Sequence, residues 1–136
     1  SAPVLVMPTG YRRRNMQVQP NYNAVTSMQT ITKSAEAILV AAEVPNIMRR
    51  AFTRLRNGRG GPVLVEIPID MWGEEVPEPL DYQPVVRTRT GPDPADVIRV
   101  ARALFEARRP VLYAGQGVHY AKAWPQLKQL AEPTGM

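Results

Sequence analysis

Four groups of residues in this chain have types and spacings suited to chemistry. The first is Gly115-Gln116-Gly117-Val118, which lies between a continuous apolar run and an amphipathic stretch. Glycines let backbone approach an anion, and a helix start supplies free N–H groups, so a phosphate or diphosphate would suit this spacing. Tyr120 stands where the dinucleotide fingerprint has its third glycine, so the spacing fits a purely structural tight turn as well. The second is Tyr11-Arg12-Arg13-Arg14, placed just after an apolar run, where open α/β sheets bind ligands. An anion contact and a subunit contact compete there with a solvated basic loop, which is the expectation. The third is Glu66, the one acidic residue inside a strand-like run, expected to be an ordinary polar residue near a sheet edge. The fourth is Glu74, Glu75 and Glu78 in a proline-rich stretch. With no histidine or further carboxylate nearby, solvation is expected there rather than a metal. His119, the only histidine, has no recognisable Ser or Cys partner and is expected to be structural or solvent-facing.

The elements that would position these residues can be read from pattern. Pro3-Val4-Leu5-Val6, Pro62-Val63-Leu64-Val65 and Pro110-Val111-Leu112-Tyr113 are three apolar runs bounded by turn residues. Such runs mark parallel strands covered on both faces. The predicted strands are 3–7, 62–67 and 110–114, with 31–35 a short strand or a turn into 37–42. Residues 11–29 lack periodicity and are expected to form a long loop. A helix is predicted from Pro45, with Ile47, Met48, Ala51, Phe52 and Leu55 on one stripe and Gly58 as its stop. Pro77, Pro79, Pro84 and Pro92 make 73–91 an extended linker. Asp93 then caps a helix with Pro94 at its first position, burying Val97, Ile98, Ala101, Leu104 and Phe105. A last helix carries Trp124, Leu127, Leu130 and Ala131, with Pro125 in its first turn and an end near Glu132-Pro133.

Composition narrows the function classes. The chain has 136 residues, 44% hydrophobic and 21% charged, as an ordinary globular protein has. Its net charge of +5 invites nucleic acid as a partner, but the arginines are scattered over helix faces without interleaved aromatics. Nucleic acid is therefore not expected. There is no cysteine, which suits a reducing compartment, and no apolar run approaches the roughly 20 residues that span a bilayer. No membrane contact is expected, and the expected location is the cytoplasm. The first residues lead straight into a strand, so the chain reads as cut from something longer.

Two stretches carry a family resemblance. Arg50-Ala51-Phe52, Gly58-Arg59-Gly60-Gly61-Pro62-Val63 and Pro68-Ile69-Asp70 resemble the end of the first domain of thiamine-diphosphate-dependent enzymes of the acetolactate synthase type. Ile31-Thr32-Lys33 and Pro8-Thr9-Gly10-Tyr11-Arg12-Arg13 resemble segments upstream of it. Arg109 to Val118, followed by Trp124 to Glu132, resembles the opening of the central domain. Tyr11 stands where the family often has Gln, and Pro20-Asn21-Tyr22-Asn23 replaces its Phe-Gln/Glu-Glu element. The resemblance implies α/β, Rossmann-like pieces of two consecutive domains. Residues 1–72 would end the pyrimidine-binding domain, 73–91 would be the linker, and 92–136 would start the central domain. It further implies a parent enzyme that decarboxylates 2-keto acids or ligates the activated aldehyde, acting on a small-molecule substrate as a homodimer or homotetramer. Thiamine diphosphate and Mg²⁺ would bind outside this chain, leaving it without catalytic residues of its own. FAD or an ADP-containing ligand would bind at Gly115, Gln116, Gly117 and Val118 in those relatives that keep one. The rival reading is a stand-alone nucleotide-binding or interaction module built on the same turn.

Overall fold

A computed structural model describes residues 2–135. The chain divides into two units, one ending at Arg89 and one beginning at Thr90. In the first, strands β1 (Leu5–Val6), β2 (Thr9–Gly10), β3 (Ser34–Ala37) and β4 (Val63–Pro68) form a parallel sheet. β1 and β2 share one register on β4, Leu5 opposite Val63 and Thr9 opposite Ile67. They are thus one strand interrupted at Met7-Pro8, where the predicted strand was continuous. β3 pairs with the other side of β4, which makes β4 the central strand.

The loop expected over 11–29 contains a 3₁₀ turn, Arg13–Asn15, and a short helix, α1 (Ala24–Met28). Asn23 caps α1 by accepting from the Thr26 N–H at 2.8 Å. The second helix, α2 (Val44–Arg56), begins one residue before Pro45 and stops just before Gly58, whose φ of +69° only glycine adopts cheaply. Between β2 and β3 the chain crosses β4 in one direction, and between β3 and β4 it returns. Right-handed connections therefore put α1 and α2 on opposite faces. Ile47 and Ala51 of α2 pack with Val63, Val65, Ile67, Ile38, Ala41 and Met71 in the buried core. Leu64, Glu66 and Pro68 alternate onto the other face and are buried as well.

The proline-rich segment has neither helix nor strand, as its prolines require, but it is held. Arg49 Nη2 donates to the Asp81 carbonyl at 2.9 Å and Arg56 Nη1 to the Val85 carbonyl at 2.8 Å. Asn57 Oδ1 accepts from both the N–H and the hydroxyl of Thr88. The segment is strapped along α2 as far as Thr88.

The second unit contains α3 (Pro94–Glu106), α4 (Gln116–Ala121) and α5 (Trp124–Thr134). Asp93 caps α3 as expected, accepting from the Ala95 N–H at 2.8 Å. Two expectations fail here. Residues 110–114 form no strand, and the predicted buried face of α3 is half-buried at Ala101 and Leu104 and exposed at Val97, Ile98 and Phe105. The reason is common to both, since a strand needs a partner to receive its N–H and C=O groups and a helix stripe needs a sheet to cover. Among the described residues this unit has neither. Also against expectation, α5 runs past Pro133 to Thr134.

Candidate functional site

Ligands of open parallel sheets bind beyond the carboxyl ends of the strands. Here β2 ends at Gly10, β3 at Ala37 and β4 at Pro68, so the segments after all three meet at one edge. Arg13 ties them together. Its backbone N–H donates to Asp70 Oδ1 at 3.0 Å and its Nε to Asp70 Oδ2 at 2.9 Å. Nη1 donates to the Leu39 carbonyl at 3.0 Å, and Nη2 pairs with Glu74. The solvated basic loop is thereby corrected at Arg13, and so is the free acidic cluster at Glu74, because each satisfies the other. The Arg13 hydrogen bonds hold the Asp70 carboxyl below the usual aspartate range.

Beneath this clamp sits Glu66. It lies on the central strand, not near an edge, and is 3% exposed. Its Oε2 has no hydrogen-bond partner among the described residues, and burial pushes its pKa up. The neighbouring Gly10 is required by this side chain. A Cβ there would lie 2.8 Å from Glu66 Cδ and Cγ and closer still to Oε1. Sequence reasoning singled out Glu66 but placed it near a sheet edge, because strand order is not written in any one strand.

At the opposite end of the sheet Lys33 explains two of the family-like motifs together. Its Nζ donates to the carbonyls of Asn57 at 3.0 Å and Arg59 at 2.8 Å, and also to that of Arg54. Its stem passes Gly61, where an added Cβ would meet Lys33 Cγ at 2.8 Å. The Thr-Lys pair and the glycine-rich stop are thus one packing unit, with an ammonium on the carbonyl end of α2.

In the second unit Gly115 is the residue before α4, with φ −102°, and Gln116, Gly117 and Val118 form its first turn. No atom lies within 4 Å of a Cβ built on Gly115 or Gly117, and neither glycine has positive φ. The tight turn that would demand glycine is absent at both positions. His119 lies within α4, its ring 5.9 Å from those of Tyr120 and Trp124.

A parallel sheet with a central strand ending in Pro-Ile-Asp, flanked by helices on both faces, matches the domains of thiamine-diphosphate-dependent enzymes. The homologues bear this out, for they are carboligases and synthases of the acetolactate synthase-like family. The chain is 33% identical to glyoxylate carboligase of Escherichia coli O157:H7 over 140 residues, covering all of this chain and 23% of that protein. It is 34% identical to acetolactate synthase of Mycobacterium leprae over 110 residues, 78% of this chain and 17% of that one. Benzoylformate decarboxylase of Polynucleobacter necessarius superposes with a TM-score of 0.82 at 28% identity, over 96% of this chain and 25% of that chain. The chain thus spans about a quarter or less of the length of these relatives. No family model matches it.

Proposed function

We propose that the chain is the part of a thiamine-diphosphate-dependent decarboxylase or carboligase that ends the pyrimidine-binding domain (1–72), links it (73–91), and starts the central domain (92–136). The observation that carries this reading is the end-to-end alignment with glyoxylate carboligase, in which the motif residues have structural work. Gly10 admits Glu66, Gly61 admits Lys33, and Asp70 receives Arg13. The substrate would be a small 2-keto acid. The parent would be a cytoplasmic homodimer or homotetramer.

The residues present do not fit Mg²⁺. Among the described residues no group of three or more His, Cys, Asp or Glu could hold a metal. As the family resemblance implies, the Mg²⁺ and diphosphate sites would lie outside this chain. A second reading puts FAD or ADP at Gly115 to Val118 in the parent. Neither glycine has a positive φ or a crowded Cβ position, so no turn among the described residues requires them. The test is made on the full protein from which the chain comes. Release of CO₂ from 2-keto acids should require added thiamine diphosphate and Mg²⁺, while residues 1–136 alone should bind neither by calorimetry. Micromolar cofactor binding by the isolated chain would overturn the assignment.

A further inference from the structure

Glu66 is a buried carboxyl that nothing above puts to use. By strand register its side chain shares a face with Ala35 and Ala37 of β3, all of them small neighbours, while Gly10 leaves the space its carboxyl enters. α1 packs on β3 and β4, and Ala24 is its buried residue. The charged groups of the surrounding elements are committed elsewhere. Lys33 is on the α2 carbonyls, Glu36 is paired with Arg50, and Arg13 is held by Asp70 and Glu74. α1 itself has no charged residue. Arg12 and Arg14 of the loop after Gly10 are solvent-exposed, and Glu66 forms no salt bridge among the described residues, so a carboxylate in this place is costly unless it keeps its proton.

We propose that Glu66 is a positioning residue for the carboxyl edge of the sheet, its carboxyl occupying the place of the missing Gly10 side chain and so fixing where Tyr11 to Arg13 stand. The neutral acid seats the Gly10 backbone by contact. Ionisation makes burial of this carboxyl costly, and its movement toward water disturbs the contact with Gly10 and with it the turn that leads to Arg13. Loop position at the ligand-binding edge is thereby tied to one proton. The inference concerns the edge itself and does not depend on which reaction the parent performs.

The test is hydrogen exchange on the full chain, followed at the Arg13 amide, which donates to Asp70. The Ile67 amide, which bonds the Pro8 carbonyl, reports the sheet as a control. Above the ordinary glutamate range Asp70 stays ionised while burial holds the Glu66 proton longer, so a change in Arg13 protection there reports Glu66. Protection at Arg13 should fall about tenfold or more across this range in the native chain while Ile67 holds, and should stay flat in Glu66→Gln, which cannot ionise. Gly10→Ala should lower Arg13 protection at all pH values, and Gly10→Ala with Glu66→Ala should restore it. Equal pH dependence in Glu66→Gln, or a Gly10→Ala loss that Glu66→Ala does not relieve, would overturn the proposal. So would a parallel fall at Ile67, which would mean general unfolding in place of loop release.

Discussion

Replacing Lys33 by Met keeps the length of the stem and removes three donors from the end of α2. A helix leaves its last four carbonyls without partners, and here one ammonium serves two of them, Arg54 and Asn57, and the Arg59 carbonyl just beyond. Hydrogen bonds to a charged group contribute about 1.5–3 kcal/mol each when buried. Lys33 is half-buried and water replaces part of the loss, so less than half of that applies per bond. Adding a helix-end charge term of about 0.3–1 kcal/mol, the expected cost is about 2–3 kcal/mol. At about 4–8 °C per kcal/mol for a unit of this size, the melting temperature should fall by roughly 10–20 °C. Lys33→Arg should recover only part, because a planar fork cannot aim one nitrogen at three carbonyls. Gly61→Ala supplies the internal control. Its new Cβ meets the Lys33 stem at 2.8 and 3.0 Å, so it should cost about 1–3 kcal/mol in the native background. In a Lys33→Ala background the obstacle is gone, and a coupling of about 1 kcal/mol or more should appear in the cycle. Thermal and urea unfolding followed by circular dichroism measure all of these. The reasoning is refuted if Lys33→Met lies within about 0.5 kcal/mol of the native chain, or if Gly61→Ala costs the same in both backgrounds.

Three further outcomes are expected. Asp70 titrates below its unfolded value, so its contribution is present above about pH 4 and is lost as pH falls through the folded value. Acid unfolding of Arg13→Ala should lack that component, and an unchanged acid limb would show that the pair is not formed in solution. Limited trypsinolysis should cut first after Arg89, where the strap on α2 has ended, and not after Arg54 or Arg56. Early cleavage within 47–56 would contradict the division into two units. Gly117→Val should leave the melting temperature of the isolated chain nearly unchanged, because its φ is ordinary and the space is open. In the parent the same change should abolish any ligand-induced rise in melting temperature produced by FAD or ADP. A rise equal to that of the native parent would remove the nucleotide reading.

What could be read from the chain alone follows a physical divide. Local signals were sufficient for α2, for the positive φ at Gly58, for the Asp93 cap and for β4, because each is decided within a few residues. α1 escaped notice because five residues show no period, and only Asn23 hints at a start. The clamp at Arg13 and the ammonium at Lys33 join residues far apart in sequence, and no spacing rule reaches across that distance. The resemblance to a family flagged both motifs without saying why the residues are there.

The second unit shows the divide most sharply. Pro110-Val111-Leu112-Tyr113 has the same pattern as Pro62-Val63-Leu64-Val65, yet Val63 and Val65 are 1% exposed while Val111 and Tyr113 are 88% and 97% exposed. Propensity and periodicity are equal in the two runs, so they cannot be what makes one a strand. The difference is company. β4 has a strand on each side to take its N–H and C=O groups and a helix to cover each face, and 110–114 has neither among the described residues. An apolar run therefore states a demand for burial, and structure appears only where other segments supply it. Our placement of 92–136 at the start of a central domain assigns that supply to the rest of the parent enzyme. On that reading Val111 and Tyr113 should become protected from exchange in the full protein while remaining open in the isolated chain.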